Sequence, residues 1–153
     1  MEFLTTSDVE QVFNTLSRAE TLNKSIHSFF NLIGTEINGA DLKGCSARVT
    51  GDEEAITVTT PHANVFGIAD HFRDGSLLSA RITFSVVRTG VDGKKSASEI
   101  MSVVMTGNGF ITALNGTRLT RSVRCDTEIA YELAILLISA VQSKLPSISD
   151  HIL

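Results

Sequence analysis

His62, Asp70 and His71 place two imidazoles and a carboxylate in one short stretch of the chain. An imidazole exchanges a proton near neutral pH, and a carboxylate can orient it. An enzyme built on this chain could draw on these three, provided the fold turns them to one place. No His-x-x-x-His or paired-cysteine spacing accompanies them, so no metal site is expected. His27 falls one residue off an apolar stripe and reads as a helix-flank residue, and His151 lies in the C-terminal tail.

Nucleophile signatures are missing. There is no Gly-x-Ser-x-Gly elbow, and neither Cys45 nor Cys125 sits in a catalytic context. Cys125 precedes Asp126 at an expected helix start, where a helix dipole could lower a thiol pKa. A small, partly buried side chain at a strand-to-helix joint explains it more simply. Gly90-Val91-Asp92-Gly93-Lys94-Lys95-Ser96 lacks the spacing of a phosphate loop and the helix that must follow one, so it reads as a hairpin tip. No cofactor is implied.

Arg118, Arg121 and Arg124, with Arg88, Lys94 and Lys95, are the basic concentration. On a strand, Arg118 and Arg124 share a face and Arg121 points away, which leaves Arg118 and Arg124 as a candidate anion-binding edge. Guarding an edge strand against pairing is the competing role. Glu128 suits the first turn of a helix, and Asn115-Gly116-Thr117 reads as a hairpin turn rather than a glycosylation acceptor.

These residues hang on an expected order of helix, strands and helix. Ser7 and Glu10 have capping-box spacing. Apolar or small residues then recur at Val9, Val12, Leu16, Ala19, Ile26, Phe30, Ile33 and Ile37, widened by Phe13, Leu22 and Phe29, with Asn23 interrupting the stripe. Asn38-Gly39 supplies a stop, giving a helix over about 8–37. At 1.5 Å per residue it would be about 45 Å long, against about 38 Å for a compact domain of this size. It must overhang, break near Ala19–Asn23, or pack against a second copy. Leu16, Asn23, Ile26, Phe30 and Ile33 are the residues a helix–helix interface would use.

Residues 45–123 read as strand-rich, an antiparallel meander of five to six strands. Gly51-Asp52-Glu53-Glu54 turns the first hairpin, and Asn115-Gly116 is a type I′ signal. The stretch Pro61 to Gly75 suits a short helix or packed loop. Leu78, Ala80, Ile82, Phe84 and Val86 alternate on one strand face. A closing helix over about 127–144, capped by Asp126 and ended by Pro146, is apolar on nearly every side, which predicts burial all round. Ile82, Phe84 and Val86 should pack on Leu133, Leu136 and Leu137. The fold class is α+β, in a single domain over residues 1–153.

The chain has 153 residues, 42% of them hydrophobic, and a formal charge of −4. That balance argues against a nucleic-acid partner unless a local patch reverses the field. The apolar run Ile129–Val141 is too short to span a bilayer and contains Glu132, and the N-terminus has no signal-peptide pattern. A cytoplasmic protein with two reduced thiols is expected. The functional expectation is a non-catalytic protein-binding module, an adaptor, chaperone or inhibitor of another macromolecule, acting as a homodimer. The alternatives are a small-ligand binder with its pocket under residues 61–75, or an enzyme using His62, Asp70 and His71.

Overall fold

The computed structural model describes residues 3–52 and 54–146. His151 and Glu53 lie outside the described residues. The first element, α1, runs unbroken over Thr6–Gly39. Its 34 residues make a rod of about 51 Å. The cap lies two residues earlier than Ser7 suggests. Thr5 is the N-cap, its Oγ1 accepts from Asp8 N at 3.1 Å, and Asp8 Oδ2 accepts from Thr5 N at 3.0 Å. Aspartate thus does in this capping box what Glu10 was expected to do. Hydrogen bonding to Thr5 holds the Asp8 carboxyl below its ordinary pKa.

Seven antiparallel strands follow in sequence order, β1 (Ser46–Val49), β2 (Ala55–Thr59), β3 (Asn64–Asp74), β4 (Leu77–Thr89), β5 (Lys95–Thr106), β6 (Phe110–Leu114) and β7 (Thr117–Arg124). The second helix, α2, spans Thr127–Ser143, and the Asp126 carboxylate accepts from Ile129 N at 2.9 Å. The architecture is therefore α+β with one strand more than expected. The extra strand is β3, which occupies the stretch read as a short helix or loop. Its sequence hides it because Gly67 stands mid-strand and Asp70 and Asp74 follow, all poor strand formers. Pairing with β4 along its full length, Asn64↔Val87 to Asp74↔Leu77, overrides that propensity. Gly67 is there for space: a Cβ would meet Ile56 Cγ2 and Phe84 Cε1 at 2.7 Å each.

Both helices lie on one face of the sheet. α1 packs on α2, β1, β2 and β4, and α2 packs on β5. Ile56, Val58, Val65, Ile82, Phe84, Val86, Met101, Val103 and Met105 meet Leu22, Ile26, Phe29, Phe30, Ile33 and Ile37 of α1 in one core. Asn38 fastens the end of α1 to the edge strand, since its side chain exchanges hydrogen bonds with Ala47 O (2.9 Å) and Ala47 N (2.8 Å). The Ser25 hydroxyl donates to Gly107 O and ties the middle of α1 to the β5–β6 turn.

One packing expectation needs correcting. Leu133 and Leu137 are buried, but Leu136 is 46% exposed, as are Tyr131 and Ile135 in part. An apolar circumference does not compel burial when sheet and neighbouring helix reach only one side of α2. The sheet itself is coiled. Register shifts interrupt β4–β5, β5–β6 and β6–β7, and each bulge adds local twist. β3 and β7 are four steps apart, roughly 19 Å in a flat sheet. Yet Arg118 Nη2 of β7 lies 3.2 Å from Asp74 Oδ2 at the end of β3, so the β7 edge curls back towards the β3–β4 turn.

Candidate interaction surfaces

The core takes up only the second half of α1. Its buried positions begin at Leu22; in the preceding four turns, an overhang from the core flanked by the β3–β4 turn, Thr15 and Ala19 are half-buried and the other side chains are exposed. On that overhang Val9, Val12, Phe13 and Leu16 are 39%, 57%, 66% and 60% exposed. Helical geometry, at 3.6 residues per turn, puts the mean direction of these four roughly 100° round the axis from the core-facing set Leu22 to Ile37. The apolar stripe that looks continuous in the sequence therefore changes face partway along an unbroken helix. Its later members Ile26, Phe30 and Ile33 are sealed inside the chain's own core. Of the five interface candidates, Leu16 presents open apolar surface, and Asn23 is a polar contact within the chain: its Oδ1 lies 2.7 Å from His71 Nε2.

The domain's own β3–β4 turn approaches the overhang from another side. A cleft of about 400 Å³ separates them, lined by Ser7, Gln11, Asn14 and Arg18 of α1 and by Arg73 and Ser76 of the turn region. Those α1 residues point almost opposite to the Val9–Leu16 stripe. Arg73 also lines a further cavity, of about 390 Å³, with Asp8, Gln11, Val12, Thr15 and Leu16, so it borders one edge of the stripe, whose members stay 39–66% exposed.

A second apolar surface lies on α2. Tyr131, Ile135 and Leu136 stand on its outer side with Glu128 and Glu132 among them, while Ala130, Leu133, Ala134, Leu137 and Val141 face inward and are buried. Sequence reasoning placed these outer residues in the core, because periodicity alone does not say how many neighbours a helix will have.

The acid–base residues do not converge. His62 sits in the β2–β3 turn and His71 near the far end of β3, about 30 Å away along extended chain. Asp70 and His71 are consecutive in a strand and face opposite sides. His71 instead helps line a different cavity, of about 420 Å³, with Asn23, His27, Thr50, Asp52 and Ala69. There the Thr50 hydroxyl, then the Glu54 backbone N–H, hold the Asp52 carboxyl below its ordinary pKa. Among the described residues no group of three or more His, Cys, Asp or Glu side chains is arranged to hold a metal ion.

The basic edge is likewise divided. Arg118 is paired with Asp74, and the Arg124 guanidinium lies over the Phe110 ring, 5.9 Å from its centroid. The two thiols are free and half-buried. Burial, followed by the charge of Asp126, pushes Cys125 up to about 11. No helix among the described residues is long and apolar enough to cross a membrane. Comparison with family models, curated proteins and solved structures returns no match.

Proposed function

We propose that this chain is a non-catalytic protein-binding module, an adaptor, chaperone or inhibitor, that works as a homodimer in the cytoplasm. The observation that carries the reading is the outer face of α2, where Tyr131, Ile135 and Leu136 stay open beside Glu128 and Glu132. Apolar anchors set among carboxylates suit a protein segment that brings apolar side chains and basic residues together. The net charge of −4 and the separate engagement of Arg118 and Arg124 weigh against nucleic acid as the partner. The free thiols fit a reducing compartment.

Affinity capture from the native host with wild-type protein and with Ile135→Asp/Leu136→Asp tests this reading. The expected result is one protein recovered in stoichiometric amount by the wild type and lost with the variant. Its purified form should bind the variant at least tenfold more weakly by calorimetry. Equal binding by both would remove α2 from the interface and the reading with it.

A second reading has its own observation. The cavity that His71, His27, Asn23, Thr50 and Asp52 line against β3 is of small-molecule size and offers several hydrogen-bonding groups. A ligand there would raise the melting temperature of the wild type and not of His71→Ala. A screen of polar metabolites that shifts neither protein counts against it.

A further inference from the structure

We infer that the overhanging half of α1 is covered by the same half-helix of a second copy, lying antiparallel across a two-fold axis that passes between Val12 and Phe13. This rests on the reading of the chain as a homodimer and adds where and how the two copies meet.

Val9, Val12, Phe13 and Leu16 are separated by three, one and three residues, a pattern that reads the same in either direction. A two-fold interface brings one patch against itself, so it favours a patch whose pattern survives reversal. In an antiparallel pair centred between Val12 and Phe13, each Val9 meets the second copy's Leu16 and each Val12 meets its Phe13. Every apolar member then has an apolar counterpart. The same mapping sets Asp8 opposite Ser17, Glu10 opposite Thr15 and Arg18 opposite Ser7, so no like charges oppose each other. A parallel pair would instead align Asp8 with Asp8 and Glu10 with Glu10, with the two helix dipoles side by side in the same sense.

The surface is also open and rigid enough to be used. The chain's own β3–β4 turn lies across the cleft from Ser7, Gln11 and Arg18, and Arg73 borders the stripe at Val12 and Leu16, which stay 57% and 60% exposed. The Thr5–Asp8 capping box holds the first turn against fraying. Leu4 precedes the N-cap at the spacing of a hydrophobic staple to Val9 and extends the patch by one more exposed side chain. Together these five side chains leave on the order of 500 Å² of apolar surface open, and interfaces are roughly 60% apolar. Two such faces would bury on the order of 1,000 Å² in total, at the low end for specific interfaces. Residue 22, where the buried positions of one copy begin, falls opposite residue 3 of the other, which sets the two cores at opposite ends of the helix pair.

Light scattering at 10–100 µM on the full chain provides the test, with Phe13→Glu/Leu16→Glu as the disrupting variant. Both positions are solvent-exposed, so circular dichroism and melting should show the fold intact. The wild type should weigh twice 16.5 kDa and the variant 16.5 kDa. Orientation is read from chains carrying Val9→Cys mixed with chains carrying Leu16→Cys, in a Cys45→Ser/Cys125→Ser background. Antiparallel pairing gives disulfide-linked mixed pairs and few like pairs. A wild-type mass of 16.5 kDa across the range would overturn the inference together with the dimer reading. A double mass that persists in the glutamate variant, or cross-links between like chains only, would overturn the pairing and leave the dimer standing. Capture through α2 is scored separately, because a monomeric glutamate variant keeps that face.

Discussion

His71 Nε2 and Asn23 Oδ1 lie 2.7 Å apart, joining a strand residue to a helix residue 48 positions away in the chain. The contact marks the place where α1 leaves the core. Leu22 beside it is buried, and the residues before it belong to the overhang. Asn23 thus breaks the apolar stripe because it meets a polar partner within its own chain.

A double-mutant cycle on Asn23→Ala and His71→Ala should return a coupling of up to about 1 kcal/mol, since both side chains are exposed and the net value of such a bond is small. Urea unfolding of the four proteins measures it. Strictly additive losses would mean that the bond contributes nothing in solution.

Leu136 and Leu137 are neighbours with opposite fates. Leu137 is fully buried, so Leu137→Ala should cost about 2–5 kcal/mol. Leu136→Ala should cost less than about 1 kcal/mol, because its side chain is already half in water. If the two losses were equal by chemical denaturation, the orientation of α2 described above would be wrong.

Two glycines should respond with opposite signs. At Gly34, inside α1, an added Cβ would meet Val49 Cγ2 at 3.5 Å, ordinary van der Waals contact. Gly34→Ala should then stabilise by about 0.5–1 kcal/mol through helix propensity. At Gly67 the same atom would press on Ile56 and the Phe84 ring at 2.7 Å, and Gly67→Ala should cost about 1–3 kcal/mol. Melting temperatures that moved in the same direction would contradict this account.

Cys125 carries a pH dependence. Its thiol ionises at about 11 in the folded chain against a reference of 9.0, so the unfolded chain loses its proton first. A raised folded pKa contributes stability below pH 9 that is lost as pH rises towards 11. The urea midpoint of the wild type should fall more between pH 9 and 11 than that of Cys125→Ser. Alkylation of Cys125 in a Cys45→Ser background should stay slow at pH 8. Fast alkylation there would mean that the thiol is neither desolvated nor raised.

Much of the fold was legible in the residues themselves. The Asp126 cap, the Asn115-Gly116 turn and the alternation from Leu78 to Val86 are local signals, and Asn115 and Gly116 do adopt φ of 51° and 80°. Each depends on groups a few positions apart, so sequence alone determined it. β3 escaped because Gly67 and the polar residues around His71 oppose strand propensity, and pairing with β4 along its whole length and with β2 over Asn64–Ile68 holds it in the sheet. The candidate surfaces depended on tertiary structure for the same kind of reason. A stripe from Val9 to Ile37 looks like one face, but where the sheet ends decides which part is core and which is surface. Likewise, whether Leu136 meets a neighbour or water depends on how far the sheet and α1 extend, and no residue within α2 encodes that reach.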